Sequence, residues 1–136
     1  MSDRQLVVNV DGGARGNPGP AAIAAVLTNA EGELLEERSE PIGRATNNVA
    51  EYRALLFGIE RARALGATEV ELVGDSELIV RQVRGEYKVK DAALRELHRR
   101  VTKALDGFDR WSISHVRRKD NERADELVNE ALDAAG

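Results

Sequence analysis

The stretch LVVNVDGGARGNPGP, residues 6–20, joins two kinds of local structure. Residues 6, 8 and 10 are apolar and recur at the two-residue period of a β-strand, which predicts a strand over residues 6–11. Glycine and proline fill six of the next nine positions and predict a turn that ends the strand. Asp11 is therefore expected at the strand's end, on the face opposite residues 6, 8 and 10.

Outward from this stretch, hydrophobic periods of two and of 3.6 residues predict four more strands and four helices. Their order, βββαβααβα, predicts an α/β fold with a five-stranded mixed sheet, three antiparallel strands and then two parallel ones, flanked by helices. Residues 1–136 are expected to form a single domain. The predicted strands are residues 22–29, 33–40, 69–73 and 110–115, and the predicted helices are residues 48–65, 76–84, 91–105 and 121–134.

Composition excludes several classes of protein. The 136 residues contain no cysteine, which rules out disulfides and thiolate metal sites. No apolar run reaches the roughly 20 residues of a membrane helix, and no signal-peptide pattern follows Met1, so we expect a cytoplasmic protein without a membrane partner. The net charge of −4 argues mildly against a protein that coats nucleic acid nonspecifically. No obligate protein partner is evident.

Four carboxylates stand apart from the acidic residues on the predicted helix surfaces. Asp11 closes the first strand, and Asp75 follows the fourth strand. Glu51 and Asp125 each fall in the first turn of a predicted helix. Each position also has a structural explanation: Asp11 as a turn former, Asp75 as a helix cap, Glu51 in a capping box begun by Asn48, and Asp125 as a partner of the helix dipole.

Considered together, the four positions favour a metal centre. Strand ends and helix starts are where an open α/β sheet gathers the residues of a site. Four clustered carboxylates without cations would repel one another and raise their pKa values. Oxygen ligands suit Mg²⁺ or Mn²⁺, and a pair of such ions is the arrangement that cleaves phosphodiesters.

These segments resemble those of type 1 ribonuclease H, in the family's order. The matching stretches are DGGARGNPGP from Asp11, TNNVAEY from Thr46, Asp75-Ser76, and His115 followed by NERAD at residues 121–125. They spread over nearly the whole chain and are most similar to the compact archaeal and actinobacterial branch. The resemblance implies a ribonuclease H-like fold and hydrolysis of the RNA strand of RNA–DNA hybrids, leaving 5′-phosphate and 3′-hydroxyl ends.

The resemblance also implies roles for particular residues. Asp11 and Asp75 would bridge two Mg²⁺ ions, which Mn²⁺ could replace, while Glu51 would serve one ion and Asp125 the other. His115 matches the family's mobile histidine, which is associated with product release or proton movement. Hybrid binding is expected from the residues around the first turn and the start of the long helix: Gly12, Gly13, Asn17, Thr46, Asn47 and Asn48. The same glycines and asparagines also suit plain turns and caps.

The chain departs from many relatives between its middle helices. Residues 85–91 are too short for the basic, Trp-containing protrusion that grips the DNA strand. Arg44 and the run at residues 117–119 are alternative phosphate contacts, although that run also suits a solvated loop. Trp111 is predicted to lie in the core because it shares a strand face with Ile113.

Other functions remain open from the sequence. A hybrid-binding module without activity would keep the fold, but the presence of all four carboxylates argues against it. Exonucleases, junction resolvases and integrases use similar sheets, but the TNNVAEY segment and the glycine-rich turn point away from them. Cleavage of RNA–RNA duplexes is neither favoured nor excluded by the residues.

Overall fold

Five strands form one mixed sheet in the computed structural model, which describes residues 4–136. The strand order is β3-β2-β1-β4-β5, antiparallel from β3 to β1 and parallel from β1 to β5. The predicted arrangement of three antiparallel and two further parallel strands is confirmed. The strands are β1 (Gln5–Ala14), β2 (Gly19–Asn29), β3 (Leu34–Ala45), β4 (Glu69–Gly74) and β5 (Arg110–His115).

Helices cover both faces of the sheet. The helix α1 packs so closely on one face that a Cβ at Gly58 would lie 2.7 Å from methyl groups of Val8 and Val10. The helix α4 covers the other face, where Leu127 and Val128 join a buried cluster with alanines of β2. Within the described residues, no helix combines the length and apolarity needed to cross a bilayer. The helices are α1 (Asn47–Ala64), α2 (Glu77–Val83), α3 (Ala92–Leu105) and α4 (Glu122–Ala135), the last preceded by a 3₁₀ turn, Arg118–Asn121.

The first three strands are longer than predicted. The strand β1 continues through Gly12 and Gly13, which pair with Ile23 and Ala22 of β2. The sequence predicts a turn at these glycines because they interrupt the apolar pattern, but backbone pairing requires no side chain. The turn is therefore limited to residues 15–18, and Asp11 lies inside the strand rather than at its end.

The prediction that Trp111 lies in the core is wrong. Its side chain is 37% exposed, whereas Ile113 on the same face is only 3% exposed. The strand β5 is the last in the sheet, so a side chain there has a neighbouring strand on one side only. In an edge strand, the face of the sheet on which a side chain lies does not by itself determine how deeply that side chain is buried.

The edge strand β3 is held from both faces by arginines. Consecutive residues of a strand point to opposite faces, so Glu36 reaches α1 and Glu37 reaches α4. Arg61 donates to both carboxylate oxygens of Glu36 at 2.6 and 2.9 Å, and Arg123 does the same to Glu37 at 2.7 and 3.1 Å. Two hydrogen bonds from one guanidinium to one carboxylate fix the relative orientation of the two side chains and also pair their charges.

A buried polar joint connects the first three helices. The Tyr52 hydroxyl, which is fully buried in α1, donates to Oε1 of Gln82 in α2 at 2.6 Å. His98 Nε2 of α3 lies 2.9 Å from the Gln82 carbonyl oxygen, and the Gln82 amide donates to the carbonyl of Lys88 at 3.4 Å. Through Lys88, the joint also holds the short segment between α2 and α3, residues 85–91.

Candidate active site

Asp11 projects from the sheet face that α4 covers. It pairs with Ala24, whose side chain belongs to the cluster under α4. On its other side, the pairing of β1 with β4 extends only to Asn9, so Asp11 has no paired strand on that side. Asp11 is only 5% exposed, yet it lines a cleft of about 500 Å³ that opens beyond the end of β4.

Glu51 reaches the same cleft because α1 lies directly against Gly12. A Cβ at position 12 would overlap the Ala50 carbonyl and lie 2.8 Å from the Glu51 nitrogen. The alternative explanation of Glu51 as part of a capping box does not hold: α1 begins at Asn47, and the Thr46 hydroxyl accepts from Val49 N at 3.2 Å. Glu51 therefore has no capping role, and it lines the cleft.

Asp75 follows the last residue of β4. It does not cap α2, since Ser76 is the capping residue and its hydroxyl accepts from Ile79 N at 3.4 Å. Among the described residues, the Asp75 Oδ2 atom is buried without any hydrogen-bond partner. A buried carboxylate oxygen in this state is satisfied by a proton, a cation or an ordered water.

The structure brings three of the four predicted carboxylates into one cluster. Oxygen atoms of Asp11, Glu51 and Asp75 all lie within 4.8 Å of one another. Asp125 of α4 lines the same cleft but lies outside that cluster, and its side chain is 33% exposed. The site therefore has an inner cluster of three carboxylates, of which Asp11 is buried, and a fourth carboxylate in the same cleft.

Burial and mutual repulsion favour the protonated forms of the inner carboxyls. Burial, followed by the charges of Asp75 and Asp125, raises the pKa of Asp11 to about 7. Burial, followed by the charges of Asp11 and Asp75, raises the pKa of Glu51 to about 9. Burial also raises the pKa of Asp75, against the opposing effects of Asn121 and Arg118. The cluster thus carries an uncompensated negative potential that a multivalent cation would relieve.

Asn121 belongs to the site, although no role for it was predicted. It is only 3% exposed; its amide donates to the Val10 carbonyl at 2.8 Å and its oxygen accepts from Asn9 at 3.0 Å. These bonds tie the start of α4 to β1 immediately before Asp11. The available signal was an asparagine at a helix start, but its side chain does not cap α4.

Two arginines line the cleft. Arg118 Nη2 lies 3.7 Å from Asp125 Oδ1, and its charge acts to lower the pKa values of Asp11, Glu51 and Asp75. The Arg15 side chain, from the turn after β1, contacts Asn129 and Asp133 further along α4.

Of the phosphate contacts suggested from the sequence, only Arg118 lines this cleft. Arg44 lines a separate groove with Arg15, and Arg117 lies 3.8 Å from Asp120.

Three of the six predicted substrate-binding residues, Asn17, Thr46 and Asn47, have side-chain partners within the chain. Asn17 Oδ1 accepts from the Asn47 backbone at 3.1 Å, and Asn47 Oδ1 accepts from the Ala14 backbone at 2.9 Å. These two bonds join the β1–β2 turn to the start of α1. Asn48 is exposed and lines the carboxylate cleft. Gly13 lines it too, and a Cβ at this position would lie 3.9 Å from Val128 Cγ1, an ordinary van der Waals distance.

His115 lies at the rim, at the end of β5. It is paired with Gly74 in the sheet register, next to Asp75, and its side chain is exposed. It does not line the carboxylate cleft. Its charge acts weakly to lower the Asp75 pKa, so the two residues are close enough to interact electrostatically.

The residues present fit a divalent metal. The ligand set is all oxygen, which suits Mg²⁺ or Mn²⁺. Oxygen atoms of the inner three carboxylates already lie close together, and the unpartnered Asp75 oxygen could bind a cation. Asp125 offers a further oxygen on the open side of the cleft.

Similar proteins point to one family. The pattern of the family described as reverse transcriptase-like matches residues 9–131. Ribonuclease HI of Halobacterium salinarum is 50% identical over 125 residues, which are 92% of this chain and 63% of that protein. A bifunctional protein of Mycobacterium tuberculosis is 46% identical over 132 residues, which are 96% of this chain and 36% of that protein. The chain thus spans less than two thirds of the length of both relatives.

Solved structures agree with the sequence matches. The crystal structure of RNase H1 from Halobacterium salinarum superposes with a TM-score of 0.94 at 48% identity, covering 96% of this chain and 98% of that one. LC11-RNase H1, solved in complex with an RNA/DNA hybrid, gives a TM-score of 0.91 at 46% identity with the same coverage. The resemblance and the ribonuclease H-like fold expected from the sequence are thereby confirmed. The chain belongs to the ribonuclease H family.

Proposed function

We propose that this chain is an endonuclease that hydrolyses the RNA strand of RNA–DNA hybrids with two divalent metal ions. The observation that carries the proposal is the convergence of Asp11, Glu51 and Asp75, with a buried Asp75 oxygen left unpartnered. The relative LC11-RNase H1 was solved with an RNA/DNA hybrid, which supports the same substrate here. Mg²⁺ is the proposed ion, and Mn²⁺ is expected to replace it.

The four carboxylates would divide the two ions between them. Asp11 and Asp75 each interact electrostatically with both Glu51 and Asp125, so they are the proposed shared ligands, with Glu51 serving one ion and Asp125 the other. When bound, the ions supply Lewis-acid stabilisation of the attacking and leaving oxygens in phosphodiester hydrolysis. The products expected are a 5′-phosphate and a 3′-hydroxyl.

The remaining residues of the site hold this geometry. The buried Asn121 fixes the start of α4, which carries Asp125, to the strand that carries Asp11. Gly12 allows α1 to bring Glu51 close to the same strand. His115 at the exposed rim is placed where it can exchange protons with solvent and with a departing product.

Hybrid recognition requires a group that senses the RNA 2′-hydroxyl. Among the predicted substrate residues, Asn48 is the best placed, because it is exposed, lines the cleft and offers both a donor and an acceptor. Asn17, Thr46 and Asn47 contribute by fixing the turn and the start of α1. Gly12 allows the close approach of α1 rather than contacting the substrate, and Gly13 leaves the floor of the cleft without a side chain.

The test is cleavage of one labelled RNA strand in three forms: paired with DNA, paired with RNA, and single-stranded. Each form is incubated with Mg²⁺, with Mn²⁺ and with chelator. Metal-dependent cutting confined to the hybrid is the expected result. Cutting of both duplexes would retain the chemistry and widen the substrate to RNA–RNA duplexes. Binding without cutting in either metal would overturn the proposal and leave a hybrid-binding module.

A further inference from the structure

Arg15 is held in place at both ends. Its backbone N–H donates to the Pro20 carbonyl at 2.8 Å across the β1–β2 turn. Its guanidinium contacts α4, where Nη2 lies 2.8 Å from Asp133 Oδ1 and 3.4 Å from Asn129 Oδ1. A long cationic side chain restrained in this way loses less conformational entropy when it binds a ligand.

The partners of Arg15 belong to one stripe of α4. Asp125, Asn129 and Asp133 are spaced four residues apart, so they follow one another along the same side of the helix. The Asn129 amide also donates to the Asp125 carbonyl at 3.2 Å. The far end of the stripe lies about 12 Å along the helix axis from Asp125, at roughly 1.5 Å per residue. Arg15 thus lies in the carboxylate cleft, but well away from the inner cluster.

Basic side chains are few in the cleft. Four carboxylates line it, and the two proposed metal ions would offset them at the scissile phosphate, which leaves the phosphates further along the strand to be bound by cationic side chains. Within residues 4–136, Arg15 and Arg118 are the only basic side chains that line the cleft, and Arg118 is beside Asp125. In the described structure, both contacts of Arg15 use Nη2, so the N–H groups of Nε and Nη1 remain available, each for a single hydrogen bond to a phosphate oxygen.

We propose that Arg15, held against Asn129 and Asp133, forms a binding subsite for a phosphate of the RNA strand away from the scissile one. The proposal rests on the proposed function, since it takes the cleft to hold that strand. The contact is to the backbone, so it would strengthen binding equally for all sequences and would anchor the strand's position on α4.

The first test measures hybrid affinity against salt concentration in Mg²⁺, with Asp75→Asn as the parent so that the RNA remains intact. Loss of one phosphate contact lowers the slope of log K against log salt by about 0.9. Arg15→Gln should therefore lower that slope by about 0.9. It should also weaken the binding of hybrids of unrelated sequence by the same factor.

Two matched variants separate this role from others. Asp133→Asn breaks the same ion pair but keeps the cation, so its slope should equal the parent's. Arg110→Gln removes an arginine that is also ion-paired, to Glu69 at 3.1 Å, but at the start of β5, the end of the sheet remote from the cleft. Its slope should be unchanged as well. If Asp133→Asn lowers the slope as much as Arg15→Gln does, Arg15 acts only as a tether and the subsite is overturned.

The second test locates the contact. Hybrids carry a single uncharged methylphosphonate at successive RNA positions, and affinity is measured for the parent and for Arg15→Gln. A methylphosphonate at one position away from the cut should weaken hybrid binding by the parent and leave binding by Arg15→Gln unchanged. The reason is that the methylphosphonate and the substitution remove the same interaction. Equal losses in both proteins at every position would overturn the subsite. A wild-type protein that neither binds nor cuts hybrid would overturn the proposed function and the subsite with it, whereas cutting with unchanged slopes overturns the subsite alone.

Discussion

Asp75 offers the most informative single replacement in the cleft, because it combines burial with an unpartnered oxygen. Asp75→Asn preserves the shape and removes one charge from the cluster. We expect cleavage to fall about a thousandfold or more, equivalent to about 4 kcal/mol of transition-state stabilisation. The metal-free variant should melt at a higher temperature than the wild type, since repulsion between the carboxylates is relieved.

Single-turnover cleavage and thermal melting in chelator measure the two effects separately. A variant that cuts at nearly the wild-type rate would show that Asp75 holds no essential ion. A variant that melts earlier than wild type would instead show that its charge stabilises the fold.

Tyr52 tests the polar joint between the helices. Tyr52→Phe removes the hydroxyl that donates to Gln82 at 2.6 Å and leaves a buried amide oxygen without its partner. We expect a loss of about 1–3 kcal/mol in the free energy of unfolding, the usual cost of an unsatisfied buried acceptor. Denaturant unfolding measures it, with Tyr87→Phe as the control, because Tyr87 is 48% exposed. Equal stability of the two variants would mean that water replaces the lost hydroxyl.

At the level of elements, the contact between β1 and α1 places Glu51 beside Asp11. Gly12→Ala would push its new methyl group into the α1 backbone at Ala50, so the start of that helix must move. We expect a loss of about 1–3 kcal/mol in stability, as in other overpacked sites, together with a fall in cleavage. Circular dichroism melts and initial cleavage rates measure both effects.

Gly13→Ala is the matched control, since its methyl group would lie 3.9 Å from the nearest side chain. It should fold with wild-type stability. If the two alanine variants were equally stable, α1 would be shown to adapt, and the close approach to β1 would not account for the position of Glu51.

The elements themselves show what a sequence can and cannot predict. Runs with a clear period gave their strands and helices nearly at the observed boundaries, as for β5 at Arg110–His115. Glycine has no side chain to contribute to a period, so the extension of β1 through Gly13 was missed. Burial at a sheet edge depends on neighbours that no local pattern encodes, which explains the error at Trp111.

The same distinction applies to the site. Asp11, Glu51 and Asp75 could be identified because strand ends and helix starts converge in such a sheet. Arg15 and Asn121 could not, because their contacts join positions more than 100 residues apart. The sequence also could not separate the inner cluster from Asp125, since exposure depends on how α4 is tilted over the sheet.

For the whole molecule, the metal-free protein is expected to lose stability as the pH rises. Folding raises the pKa of Asp11 from 3.8 to about 7 and that of Glu51 from 4.5 to about 9. A group whose pKa is raised by folding stabilises the fold below its unfolded pKa and loses that contribution as the pH rises through its folded pKa. This contribution should therefore disappear between about pH 4 and pH 9.

Thermal melts in chelator against pH measure this loss, with Glu51→Gln as the control. The melting temperature of the variant should exceed that of the wild type by an amount that grows with pH. Saturating Mg²⁺ should remove most of the difference in pH dependence, because bound cations offset the same charges. Parallel melting curves for the two proteins at every pH would contradict the expected protonation of Glu51.

The arginine contacts of β3 also affect the behaviour of the protein in concentrated solution. A bare strand edge is a template for other chains, and β3 lies at an edge of the sheet. Arg61 and Arg123 hold the pKa values of Glu36 and Glu37 below their usual range, so these edge charges persist further into acid than those of ordinary glutamates. Resistance to cross-β stacking should therefore extend into mildly acidic conditions, and fibrils should grow from this edge only once both carboxyls are protonated.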